Sequence, residues 1–284
     1  WEINTETLGQ GKWRDLFISS GGFSKYYLDV PNVLKWENNG YEVRAHDGST
    51  VPNEKFYFHE GLVWPLTSPT GFSIRYMPKG GILGVTAVAA FVKDSKNMWA
   101  ILGLMNTTLI QFILLMKTPM HKWTPGNVAT TPVALKILHS KEVQSAAHEA
   151  RDLLLEWDTG NEISTLFVKP WILQVLYGFD PREKPLTGHP FAEQFTWSDW
   201  KSLEQMRSVV GSKKMDLQEL GRLTIEREQI IRDRLDELKK LMDEKVYHFY
   251  KVNEEDKRLI EKEIALRYTG PPLSEEKIEA SEGK

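Results

Sequence analysis

The sequence predicts an α+β fold, a strand-rich front followed by a helical back. Two observations carry this. Up to about residue 135, short apolar or alternating runs such as "EKFYFHEGLVW" and "GFSIRYM" sit between Gly and Pro punctuation. Beyond it, apolar residues recur at three- to four-residue steps, the helical period. The 284 residues suffice for two units. We expect a mixed α/β domain over 1–135, a helical region over 136–268 and a disordered tail over 269–284.

In chain order, "SSGGF", "NNG" and "HDGS" offer turn positions with positive φ. In Phe72–Met77 a period of two places Phe72, Ile74 and Tyr76 on one face and Ser73, Arg75 and Met77 on the other. "GGILGVTAVAAFV" reads as one or more strands. Met98–Met116 then runs 19 residues without a charge and is expected as one buried helix on those strands. Its length would also suit a bilayer. Asn106, Thr107, Thr108 and Gln111 dilute it and no basic flank accompanies it, so no membrane contact is expected.

In the back half, "SKEVQSAAHEARDLLLEWD" is a helix with Ser140 as its cap. Leu217, Leu220, Ile231, Leu235, Leu238, Met242, Val246 and Phe249 form one stripe on a helix of about 30 residues. Asn253 caps a second helix that opens with acids. "GFDPREKPLTG", from Gly178 to Gly188, reads as a loop.

Composition narrows the function. Without Cys there are no disulfides, thiolate metal sites or Cys nucleophiles, which fits a reducing, cytoplasmic setting. Net charge is −3, with 12 Lys/Arg against 10 Asp/Glu over 1–135 and 24 against 29 beyond. Neither half is a strongly basic nucleic-acid binder, so any phosphate grip must come from a local patch. The chain opens on Trp1 with no signal pattern and reads as a piece of a longer protein. The seven His show no metal-ligand spacing, and no nucleophile elbow, Walker loop or G-x-G-x-x-G is present. Carboxylates of the back half interleave with Lys and Arg as solvated helix pairs. No catalytic constellation and no metal site are expected.

Three groups are candidates for reading a ligand. In "SSGGFSKYYLDV", a Gly pair precedes Lys25, Tyr26 and Tyr27, which combine close backbone approach, a phosphate contact and rigid aromatic area. In the alternating strand, Arg75 is either ion-paired or aimed at a ligand, its planar fork suiting phosphate or a guanine edge, with Lys79 just beyond. In "TPMHKWTPGNVATTPV", Lys122 and Asn127 flank a Pro-Gly turn, Asn127 being a helix cap or a donor to base or phosphate.

Taken together, "GGFSKYYLDVPNVLKWENNGYEV", "EGLVWPLTSPTGFSIRYMPKGGI" and "LGLMNTTLIQFILLMKTPMHKWTPGNVATTPV" resemble, in order and spacing, the C-terminal half of large bacterial adenine-specific DNA methyltransferases. The resemblance is above all to the phage-growth-limitation type methylase of BREX defence systems, and more distantly to type IIG and IIL restriction–modification enzymes. Trp64 before Gly71–Tyr76, Leu104–Met105–Asn106–Thr107, and Trp123–Gly126–Val128–Pro132 match the family's soft motifs, and "LDELKKLMDEKVYHFYKVNEEDKRLIEKEI" is similar to its closing helices.

The resemblance implies a target recognition domain with helical spacers. Double-stranded DNA would be its partner, and the catalytic domain of the same parent protein would methylate a flipped adenine with S-adenosylmethionine. The "N-P-P-Y" motif of that domain is absent here, so this chain is expected to hold no cofactor and to lack catalysis alone. On this reading Arg75 and Asn127 reach base edges, Lys25, Lys79 and Lys122 neutralise phosphates, and Tyr26 and Tyr27 help place the backbone. A second reading is a protein-interaction module whose long amphipathic helices dock other defence-system subunits.

Overall fold

The computed structural model describes residues 15–19, 21–118, 121–178 and 216–267. Within them the chain is a mixture of α and β, as the sequence predicts. Residues 179–188 of the expected loop and the tail 269–284 lie outside the described residues.

Two three-stranded sheets form the front. In the first, β1 (Asp15–Ile18) lies between β2 (Val33–Leu34), antiparallel, and β5 (Gly81–Leu83), parallel. In the second, β3 (Gly61–Pro65) lies between β4 (Arg75–Met77) and β6 (Ala87–Ala90), both antiparallel, with Val63 opposite Arg75 and Ala89. Of the run "EKFYFHEGLVW" only its end is strand, for Glu54–Phe56 is a 3₁₀ turn. The "NNG" segment opens helix α1 (Glu37–Ala45) with three left-handed residues, Asn38, Asn39 and Gly40. Gly40 has φ +70, and a Cβ there would lie 2.6 Å from the Trp36 ring, so glycine is required twice over.

The alternation of β3 and β4 assigns faces as expected. Leu62, Trp64, Phe72, Ile74 and Tyr76 point into the main core. Val63 and Met77 point to the opposite side, where Ile18 covers them. Both faces are therefore buried.

The uncharged run is not one helix. It divides into α2 (Met98–Met105) and α3 (Thr108–Lys117), bent by 76° at Asn106–Thr107. Among the described residues no single helix is long and apolar enough to cross a membrane. A five-residue α4 (Pro125–Ala129) follows, capped by the Thr124 hydroxyl. In α5 (Lys141–Asp158) Ser140 accepts from Val143 N as expected. Then come α6 (Trp171–Tyr177), α7 (Leu217–Tyr250) and α8 (Glu254–Arg267). Asn253 accepts from Asp256 N at 2.8 Å and so caps α8.

The apolar stripe of α7 is mostly consumed inside the molecule. Leu220, Ile231, Leu238, Met242 and Val246 are buried, whereas Leu217 is 76% exposed. The main core draws on both sides of residue 135, from Tyr26 and Leu62 through α2 and α3 to Val143, Met242 and Ile260. At Gly103 the helices α2, α5 and α7 approach closely, since a Cβ would stand 2.8 Å from Val143 and 3.2 Å from the Met242 sulfur. A larger residue there would separate three packed helices.

Candidate nucleic-acid interface

The first two sequence groups meet at the elbow between α2 and α3. Asn106 is fully buried there. Its side-chain amide donates to Ile74 O at 2.8 Å and to Leu102 O at 3.0 Å, and its carbonyl accepts from Ile74 N at 3.2 Å. Gln111, on α3, treats Phe72 the same way, accepting from its N–H at 3.1 Å and donating to its carbonyl. Two amide side chains thus take the place of a neighbouring strand along 72–74, satisfying backbone groups that burial would otherwise leave unpaired. On the same edge Tyr26 N also donates to Ile74 O, at 3.0 Å, and Tyr76 N donates to Tyr26 O at 3.1 Å, while β3 pairs with the opposite edge.

The elbow is also tied to the helical back. Asp243 of α7 accepts from Thr108 N at 2.6 Å and from the Thr108 hydroxyl at 2.8 Å. It caps α3 from 135 residues away, because Thr107 spends its own hydroxyl on Leu104 O. Lys25 donates to Asn106 O at 3.0 Å. Burial, then the Lys239 charge, pull its amine down to about 8, with Asp243 partly opposing.

Each candidate residue now has a place. Lys25 is half-buried at the elbow. Tyr26, with φ 66, and Tyr27 are buried. Burial raises the Tyr27 hydroxyl well above its usual range, helped by Asp158 and Asp29. Arg75 does not reach the surface at its strand edge. It is 2% exposed, with Gly21 lying over its guanidinium and Gly22 O accepting at 3.4 Å. Burial pulls it down to about 10. The Gly pair upstream is what covers it, a long-range contact that strand alternation cannot reveal.

Lys79, Lys122 and Asn127 lie at the periphery, but not together. Lys79 is exposed two residues beyond the Met77–Gly61 pair, at one end of the second sheet. Lys122 is exposed and bridges to Thr67, beyond the opposite end of β3. Asn127 is half-buried in α4, its carbonyl accepting from Lys117 Nζ at 2.9 Å. The structure thus brings Lys25, Tyr26, Tyr27 and Arg75 into the interior and leaves two separate outer groups. Asn106, Gln111 and Asp243, which organise the site, announce themselves in sequence only as polar residues interrupting apolar patterns. No cluster of His, Asp and Glu able to hold a metal occurs among the described residues.

Below the elbow, Asp29 accepts from Thr165 N at 3.0 Å and from the Thr165 hydroxyl, and Ser164 donates to Asp158 at 3.3 Å. Burial raises Asp158 to about 6, and nearby Asp29 adds to this, while hydrogen bonds from Tyr27, Asn161 and Ser164 oppose it. Its folded value lies above the unfolded one. Between about pH 4 and 6 the folded state therefore holds the extra proton, and stability falls as pH rises. Asp158→Asn removes that cost. We expect the variant to be about 1–3 kcal/mol more stable than the parent at pH 8 and level with it near pH 4, read from urea unfolding. A gain independent of pH would contradict the account.

Sequence comparison points to one class of protein, the adenine-specific methyltransferases. Over 147 residues, 51% of the chain, it is 33% identical to the adenine-specific methyltransferase BrxX of Escherichia coli O9:H4 (strain HS). Over 134 residues, 45% of the chain, it is 28% identical to the adenine-specific methyltransferase PglX of Lacticaseibacillus casei (strain Zhang). The chain is thus related to methyltransferases of the BREX and PglX type. The matched stretches span only 12% and 11% of those relatives. No protein-family model matches the chain.

Proposed function

We propose that this chain is the DNA target-recognition portion of an adenine-N6 DNA methyltransferase acting in anti-phage defence. The similarity to two adenine-specific methyltransferases, confined to about an eighth of their length, is the observation that carries this reading. A catalytic domain elsewhere in the parent protein supplies S-adenosylmethionine chemistry. The residues here do not fit that cofactor, having neither the base-binding motif nor a glycine-rich loop between strand and helix. The chain's part is to grip duplex DNA and present one adenine for flipping.

Exposed Lys79 and Lys122 remain phosphate contacts in this proposal, and Asn127 a base-edge contact at the α4 surface. Arg75, Lys25, Tyr26 and Tyr27 serve by holding the elbow that supports these surfaces. The protein-docking alternative loses its main support where the α7 stripe packs into the core. A duplex-binding titration over a salt series tests the proposal. We expect log affinity to fall linearly with log salt. A folded chain that binds no duplex at low salt would sink it.

A further inference from the structure

From Gly61 to Lys141 the sequence contains a single acid, Asp94, against seven lysines and Arg75. Comparing the net charges of the two halves averages this depletion away. The seven are Lys79, Lys93, Lys96, Lys117, Lys122, Lys136 and Lys141, and all are exposed. Among the described residues none of them has a carboxylate within 4.0 Å. Lys117 donates to Asn127 O and the Thr130 hydroxyl, neutral acceptors that leave its charge uncompensated.

The helical back is different. Between Leu217 and Arg267, eight of the twelve Lys and Arg hold a carboxylate within 4.0 Å. Arg222, Arg232, Arg234, Lys239 and Arg267 do so with residues three or four positions away on their own helix. The described residues therefore include one region whose cations are mostly spent internally and one whose lysines are not.

Three of the uncompensated lysines are placed along β3 by strand pairing. Lys79 follows β4 and Lys93 follows β6, both at the Gly61 end of β3. Lys122 pairs with Thr67 beyond the Pro65 end. From the level of His59 to Thr67 is eight steps of near-extended chain, about 26 Å. That is the rise of about seven to eight base pairs, the length of duplex that would reach both ends.

We propose that six of these lysines form a phosphate track for duplex DNA, running past the two ends of β3 from Lys79, Lys93 and Lys96 to Lys117, Lys122 and Lys136. The inference rests on the DNA-recognition reading and adds which surface meets the backbone and which does not. The track is sequence-independent, fixing the register in which loops reach base edges. The helical back, with eight of its twelve cations paired, faces away from the duplex.

The test compares three triple variants of the full chain, each checked for native circular dichroism. Two neutralise the track, Lys79→Gln/Lys93→Gln/Lys96→Gln and Lys117→Gln/Lys122→Gln/Lys136→Gln. The third neutralises exposed cations of the back, Lys240→Gln/Arg258→Gln/Lys262→Gln. The readout is the slope of log affinity against log salt for one duplex of about 20 base pairs, long enough to cover the whole track. Each track triple is expected to lower the slope by about 2–3, near 0.9 per lost contact, while the back triple leaves it unchanged. The inference is overturned if the track triples leave the wild-type slope in place, or if the back triple lowers it equally. A folded wild type with no duplex affinity removes the DNA reading itself, and the track with it.

Discussion

Asn106→Ala is expected to destabilise the chain by about 2–4 kcal/mol, measured as a shift in the urea midpoint at constant m-value. The side chain serves Ile74 through both its N–H and its C=O, and it closes the break between α2 and α3. Alanine leaves the buried Ile74 N–H without a partner, at about 1–3 kcal/mol, takes one of two donors from Ile74 O, and opens a small void in the core. The elbow that holds Lys25 and receives Asp243 loses its tie to the strand at the same time. A loss below about 1 kcal/mol would mean that water or a shifted strand replaces the amide, and that the elbow is not a keystone of the fold.

Arg227→Met is expected to have a comparable or larger effect, for an electrostatic reason. Arg227 is fully buried, donating to Glu156 at 2.9 Å and to Gln174 at 2.7 Å. Gln174 in turn donates to Lys169 O at 2.8 Å and to the Thr159 hydroxyl at 3.2 Å, so α5, α6 and α7 share one polar network. Removing the cation takes the Arg227 ion pair and hydrogen bond from the buried Glu156 carboxylate, which costs about 3–5 kcal/mol. Removing both charges costs far less, because the desolvation of two ions is recovered together. Arg227→Met/Glu156→Leu should therefore regain most of the loss, a coupling of about 2–3 kcal/mol in a double-mutant cycle. Additive single effects would show that the pair is not coupled.

Much of the fold is legible in local pattern. Ser140 and Asn253 cap helices where the sequence places them, and the stripe from Leu220 to Val246 is one face of one helix. The period of two in Phe72–Met77 assigns the right residues to the main core. These features depend on neighbours within a few residues, so spacing alone encodes them.

What was not legible depends on distant partners. An Asn inside an uncharged run dilutes its hydropathy, but nothing local says that it clamps a strand 32 residues upstream and breaks the helix in two. Alternation gives Arg75 a face without showing that Gly21 and Gly22 close over it. Arg227 and Glu156 are 71 residues apart, so their pairing is invisible to any helical spacing rule. Of the candidate site, the exposed residues Lys79 and Lys122 were recognisable by type. The larger set of lysines around them shows in sequence as a lack of acids, a signal visible only when charge is counted over that particular stretch.

We propose that this chain reads duplex DNA for a methyltransferase. Selection of the folded 284-residue chain against a pool of randomised duplexes, followed by sequencing of the bound fraction, tests it most directly. The account predicts enrichment of one short asymmetric site containing an adenine, superimposed on salt-sensitive background binding. A bound fraction with no enriched site, recovered from a folded and monodisperse chain, would contradict it.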